Sequence, residues 1–396
     1  MINKNFSLLW IGQLVSQLGN RIYLMALSWY FVATLKDNHG LFILFIISSL
    51  PALLLGLYMG PFVERWNKKK IIVACDLLSG LLVTLLAFLV YMESHATLFI
   101  YIICFLLNTV NLFFSPSINS IIPAILSKNE LQKGMSYIRM VTYLGQIMGA
   151  AVGGVLVGIV GVYITILINA ISFFLSAIAG FMLNYKEQAQ TVSKKYMGQV
   201  KDGLKYIYSY PLLRKMLFLA ICCNLFLPAL LVFIPIVIKT EMGLDAIHYG
   251  IADAAVPIGA VITAYALSRH KVQTSPLKMM GFGLSLLAVS YLLIFGIPYY
   301  GMIVSALFLF GCALNYININ SLTFFTSMVE PDYRGRFFSL LESLSYASLS
   351  LSYLIANGLS GWIGLYETIL INGLFLLFIA GISLFWSRKN KEKVIC

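Results

Sequence analysis

Residues 41–92 read LFILFIISSLPALLLGLYMGPFVERWNKKKIIVACDLLSGLLVTLLAFLVYM. Two apolar runs, each about 20 residues long, flank one short loop that holds Glu64, Arg65, Lys68, Lys69 and Lys70. A run of that length crosses the hydrocarbon of a bilayer as an α-helix. A short basic loop between two such runs is the signature of the cytoplasmic side.

The same pattern repeats outward in both directions. Spans are expected at 8–35, 41–62, 71–92, 98–122, 137–160 and 163–183, then at 216–238, 249–267, 277–297, 302–328, 337–359 and 368–386. The expected fold class is an all-α membrane protein of twelve spans in two pseudo-symmetric halves of six. The halves are read as 1–184 and 216–396, joined by a cytoplasmic loop at 185–215. The N-terminal apolar stretch is too long for a signal peptide and lacks a small-residue cleavage site, so it reads as the first span.

Composition agrees. The chain is 60% hydrophobic and 11% charged, with a mean hydropathy of +0.89, whereas soluble domains carry roughly 25% charged residues. The net charge of +12 does not indicate nucleic acid, because the cations sit in short clusters between apolar runs. With the N-terminus inside, 24 of the 27 Lys and Arg fall in cytoplasmic segments. Only Lys36 and Lys239 fall outside, and Arg21 lies within a span. This places both termini in the cytoplasm. In the central loop, 199–208 can form an amphipathic helix on the inner leaflet, or a plain soluble linker.

Five of the six cysteines lie inside apolar runs and none forms a C-x-x-C pair. They read as small buried hydrophobes rather than metal ligands or disulfides. The four histidines fall at loops or span ends without metal-ligand spacing. No G-x-x-x-x-G-K-[ST] phosphate loop is present. An enzyme is not expected, and no cofactor; the drive is expected from the proton gradient.

Two motifs resemble those of the major facilitator superfamily. GPFVERWNKKK resembles its G-x-x-x-[DE]-R-x-G-[RK]-[RK] pattern through Gly60, Glu64, Arg65, Lys68 and Lys69, with Asn67 in place of a glycine. In span 5, GQIMGAAVGG resembles the exporter motif G-x-x-x-G-P-x-x-G-G through Gly145, Gly149, Gly153 and Gly154, with Ala150 for the proline. The start, FSLLWIGQLVSQLGNRIYLMALSWYF, and the 10–11 loop, EPDYRGRFFSL, resemble the branch of macrolide-efflux proteins and the enterobactin exporter. Many members of that branch carry an acid where this chain has Asn20. SKNELQKGMSY before span 5 also matches EPDYRGRFFSL before span 11, at an offset that pairs Lys133 with Arg334 and Asn119 with Asn320. Repeated halves around a site near mid-membrane are the transporter plan.

The resemblance implies that Gly60, Glu64, Arg65, Lys68 and Lys69 form a gate that shuts the cytoplasmic side. Asp76 and Arg139 are placed with that gate; Asp76 is read alternatively as a packing residue. Span 5 glycines imply close packing against span 8.

Ionisable groups inside a membrane are costly and mark function. Arg21 lies about 20 Å into span 1 at 1.5 Å per residue. It either holds an anionic substrate group or pairs with Asp253 or Glu342 to hold helices together. Asp253 and Glu342 are the candidate proton carriers. Glu342 is favoured because Ser345, Tyr346 and Ser350 extend a polar face from it. Further candidate substrate contacts are Gln17, Asn20, Asn108, Asn111, Tyr143, Gln146, Asn315, Asn318 and Tyr346, on spans 1, 4, 5, 10 and 11. Interhelical hydrogen bonds are the plainer explanation for some of these.

The expected protein is a monomeric, proton-coupled exporter of a small amphipathic molecule in the bacterial cytoplasmic membrane. It works by alternating access of the two halves and has no nucleic-acid partner. Export of an anionic metabolite such as a siderophore, favoured by Arg21, is the competing reading. Movement of a lipid is a third. A membrane-embedded enzyme or sensor lacks the clustered ligands or soluble domain it needs.

Overall fold

The computed structural model describes residues 3–389 apart from 65, 93–96, 128–129, 186–206, 228, 270–274 and 297–298. Among the described residues every regular element is helical. In hydrocarbon a helix satisfies its own backbone groups, so an apolar chain has little choice. The helices are α1 Lys4–Trp29, α2 Asn38–Glu64, α3 Lys68–Tyr91, α4 Thr97–Ile125, α5 Leu131–Phe181, α6 Pro211–Phe226, α7 Ala229–Ile236, α8 Ala246–Arg269, α9 Pro276–Gly296, α10 Tyr300–Met328, α11 Pro331–Ile363 and α12 Leu365–Lys389.

Among the described residues nine helical segments are long and apolar enough to cross a membrane. One of them, Lys133–Phe181, is two crossings joined at Gly161, where φ is 80°. Another, Pro211–Glu241, covers α6 and α7 as one crossing. The nine segments therefore make ten crossings, and α1 and α11 bring them to the twelve expected. These two fall short on apolarity because they carry the polar residues that matter below. The loop segment 199–208 lies largely outside the described residues.

The described chain groups into two compact units, Met1–Ser193 with Ile238–Ala254, and Lys194–Val237 with Ala255–Cys396. The segment 238–254 groups with the first unit. Its contacts explain why, as the site shows.

Local chemistry sets the helix ends, and it repeats between halves. α1 runs into a π-helical turn, Tyr30–Thr34, and α7 into another, Val237–Glu241. A residue with positive φ follows each turn, Lys36 at 53° and Gly243 at 66°. An aspartate then caps the next helix. Asp37 accepts from the Gly40 amide at 2.7 Å and Asp245 from the His248 amide at 3.1 Å. The His248 ring, 2.6 Å from Asp245, holds that carboxyl below the usual carboxylate range. Gly161 and Gly364 form a second matched pair, with φ of 80° and 102°, turning span 5 into span 6 and span 11 into span 12. A side chain is strained in that region, which is why glycine sits there.

Asn67 explains the departure from the family pattern. It is the N-cap of α3 and accepts a hydrogen bond from the Lys70 amide at 3.0 Å. Its φ of −66° needs no glycine.

Candidate functional site

α1 packs along both halves of α5, and small residues set how closely. A Cβ added to Gly145 would come 2.9 Å from Gln17 Cβ, and one on Gly149 would come 2.6 Å from Arg21 Cβ. A Cβ on Gly153 would meet the Ile22 Cα at 3.2 Å. The neighbouring Gly154 turns to a different partner. A Cβ there would lie 2.8 Å from the Gly250 Cα, and one on Gly250 would lie 2.7 Å from the Gly154 Cα. The glycine motif of span 5 therefore serves two helices at once. Three of its glycines admit α1 and the fourth admits the start of α8.

That double seat brings Arg21 to Asp253. One terminal nitrogen, Nη2, donates to Oδ1 at 2.5 Å and to Oδ2 at 2.6 Å. The carboxylate side chain is 8% exposed and the arginine 22%. The arginine Nε is buried without a partner. Nearby, Trp29 stacks on Tyr249 with centroids 6.1 Å apart, and the Lys239 ammonium lies 5.7 Å from the Trp29 ring centroid. Pairing, stacking and glycine contact together tie 238–254 to the first unit. Pro257 follows inside α8; it has no N–H, so the Asp253 carbonyl lacks its usual i+4 donor.

Other expected residues divide by exposure. Asn111 and Gln146 in the first unit, and Asn318 and Glu342 in the second, are exposed. Polar groups deep in spanning helices are costly against lipid, so these positions mark water-accessible faces. Gln17, Asn20, Asn108, Tyr143 and Tyr346 are half-buried. Asn108 donates back to the Cys104 carbonyl at 2.9 Å. Asn315 is buried and its amide donates to the Ala260 carbonyl at 2.6 Å. Of the span 10 pair only Asn318 is open to a ligand, while Asn315 fastens α10 to α8.

Unlike the buried Asp253, Glu342 has no ion pair among the described residues. Beside it, Ser345 accepts a hydrogen bond from Asn224 at 3.2 Å, joining α11 to α6.

Asp76 is 1% exposed and accepts from the Ser176 hydroxyl at 2.7 Å. That contact packs span 3 on span 6. Lys68 is buried at the first turn of α3, and Lys69 is half-buried. Arg65 lies outside the described residues, as do the surroundings of Gly60 and the side chains of Glu64 and Arg139.

Sequence reasoning missed the Asn224–Ser345 bond and the repeated π turns. A lone asparagine in span 7 was the only signal for the first. No residue pattern announces a π turn.

A helical membrane protein in two units, with an arginine on its first helix paired to a buried aspartate and an exposed acid on its eleventh, has the build of a multi-pass transporter. The profile of the Major Facilitator Superfamily matches residues 9–341 and 229–395, and the chain belongs to that superfamily. It is 25% identical to YfiS of Bacillus subtilis (strain 168), an MFS-type transporter, over 96% of this chain and 93% of that one. It is 21% identical to macrolide efflux protein A of Streptococcus pyogenes, covering 95% and 94%. Among solved structures it resembles a bacterial homolog of the human lysosomal transporter Spinster with a TM-score of 0.77 and 13% identity, covering 98% of each chain. That likeness concerns the fold.

Proposed function

We propose that the protein is a proton-driven exporter of small amphipathic molecules in the bacterial cytoplasmic membrane, with both termini in the cytoplasm. One observation carries the reading. Arg21 is neutralised by Asp253, while Glu342 is exposed and has no ion pair among the described residues. Among the described side chains of the spans, the charge left open to a ligand is negative. This shifts the substrate from an anionic metabolite towards a molecule with a cationic or hydrogen-bond-donating group and an apolar body. The efflux relative supports the same direction.

Glu342 can then serve substrate and proton in turn. Charged, it holds the donor group of the substrate, with Asn318 and Tyr346 as further contacts on the second unit. Protonated, it loses that attraction and the substrate leaves. Because one carboxylate cannot serve both at once, proton entry and substrate exit are coupled. Arg21–Asp253 acts as a latch that holds α8 to α1. The Gly60–Lys69 segment gates the cytoplasmic side, and the monomer suffices.

Purified protein in liposomes tests this. An imposed pH gradient, acid on the side where the substrate leaves, drives accumulation of a cationic amphiphile such as a rhodamine dye. No gradient-dependent movement of any amphiphile would sink the reading.

A further inference from the structure

The start of α6 and the end of α12 meet in the second unit. The Lys215 ammonium lies 5.6 Å from the Trp386 ring centroid, and Phe218 packs on Trp386 at 6.2 Å between centroids. The Arg214 guanidinium lies 5.0 Å from the Tyr208 ring centroid. The start of α9 joins them, because Ser275 and Ser387 hydroxyls are 2.8 Å apart. This corner thus gathers Arg214, Lys215, Lys278, Arg388 and Lys389. None of the five forms an ion pair among the described residues.

Directly below the cations the surface turns apolar. Phe218 stands three and four residues after Lys215 and Arg214, and Phe385 three and four before Arg388 and Lys389, so each ring shares a helix face with its cations. Phe218 is 47% exposed and Phe385 62%. Cations at a helix end, aromatics flanking them and bare phenyl rings one turn deeper match a phospholipid from headgroup to acyl chain.

In the first unit α1 starts with Lys4, and that end is clasped to the end of span 6 through the Asn5 side chain. Asn5 donates to the Asn184 carbonyl at 2.8 Å and accepts from its amide at 3.1 Å. The same place in the second unit holds clustered cations in place of that clasp.

We propose that this corner is a binding site for one diacyl anionic phospholipid. Lys215, Arg214 and Arg388 face its phosphate, and Phe218 and Phe385 carry its chains. The lipid would brace α6 against α12.

Full-length protein in phosphatidylcholine vesicles tests it, with brominated phosphatidylglycerol or brominated phosphatidylcholine added at equal fraction. Trp386 fluorescence is taken as the difference between wild type and Trp386→Phe. Quenching by the anionic lipid exceeds that by the neutral lipid in the wild type. The preference falls about fivefold for each cation removed in Lys215→Gln and Arg388→Gln. Equal quenching by the two lipids in the wild type overturns the proposal, whatever the variants do. So does a preference that Lys215→Gln/Arg388→Gln leaves unchanged. Millimolar inorganic phosphate leaves the quenching intact; displacement by it would assign the corner to a soluble anion instead.

Discussion

Asp253 and Glu342 are both carboxylates inside spanning helices, and burial treats them oppositely. Asp253 is buried against the Arg21 guanidinium. Glu342 is exposed beside Tyr346 and Ser345 with no ion pair among the described residues. A buried charge without a partner costs several kcal/mol, so Asp253 is committed to Arg21. An exposed acid keeps its water and can exchange partners. The contrast teaches that an ionisable residue in a membrane span has two uses. One fastens helices, and the other is left exposed without an ion pair among the described residues.

The largest effect should come from breaking the fastened one. Asp253→Asn leaves the Arg21 cation unbalanced and should cost about 3–5 kcal/mol, read as a lower unfolding temperature in detergent. Arg21→Met/Asp253→Leu removes both charges and should recover most of that loss, since well-packed apolar pairs replace buried ion pairs at little cost. A double variant as unstable as the single would mean that the pair is not the source.

Next comes the seat that delivers Asp253. Gly250→Val places a side chain against the Gly154 backbone, where a Cβ alone would lie 2.7 Å from Gly154 Cα. Overpacking of this kind should cost about 1–3 kcal/mol. It should also weaken the Arg21–Asp253 coupling in a double-mutant cycle. Retained coupling would show that α8 is held by the charges alone.

The smallest effect on stability belongs to the free acid. Glu342→Gln should move unfolding by less than about 0.5 kcal/mol. A loss comparable with that of Asp253→Asn would erase the distinction between the two carboxylates.

Much of this architecture was legible in the sequence. Long apolar runs and sorted cations reveal spans because hydrocarbon admits little else. The glycines of span 5 announced close packing against span 8, and Gly154 makes that contact with Gly250. Their second face was not legible, since Gly145, Gly149 and Gly153 admit α1 through a fold that spacing cannot supply. Arg21 stood out as an unexpected cation, but three partners were open to it: substrate, Asp253 or Glu342. Only the tertiary arrangement settles which carboxylate comes within 2.6 Å. Asn315 and Asn318 share a polar pattern, yet the Ala260 carbonyl occupies one and leaves the other exposed. Periodicity finds a polar face; it does not say which of its members is already engaged.

The role assigned to Glu342 is tested most directly by substrate flux through proteoliposomes containing wild type or Glu342→Gln, measured with and without an imposed pH gradient. Wild type should concentrate the amphiphile when the gradient is applied. Glu342→Gln should carry it only down its own gradient, at the same rate whether or not the pH gradient is present. Gradient-driven accumulation that survives in Glu342→Gln would contradict the account and move proton coupling to another residue.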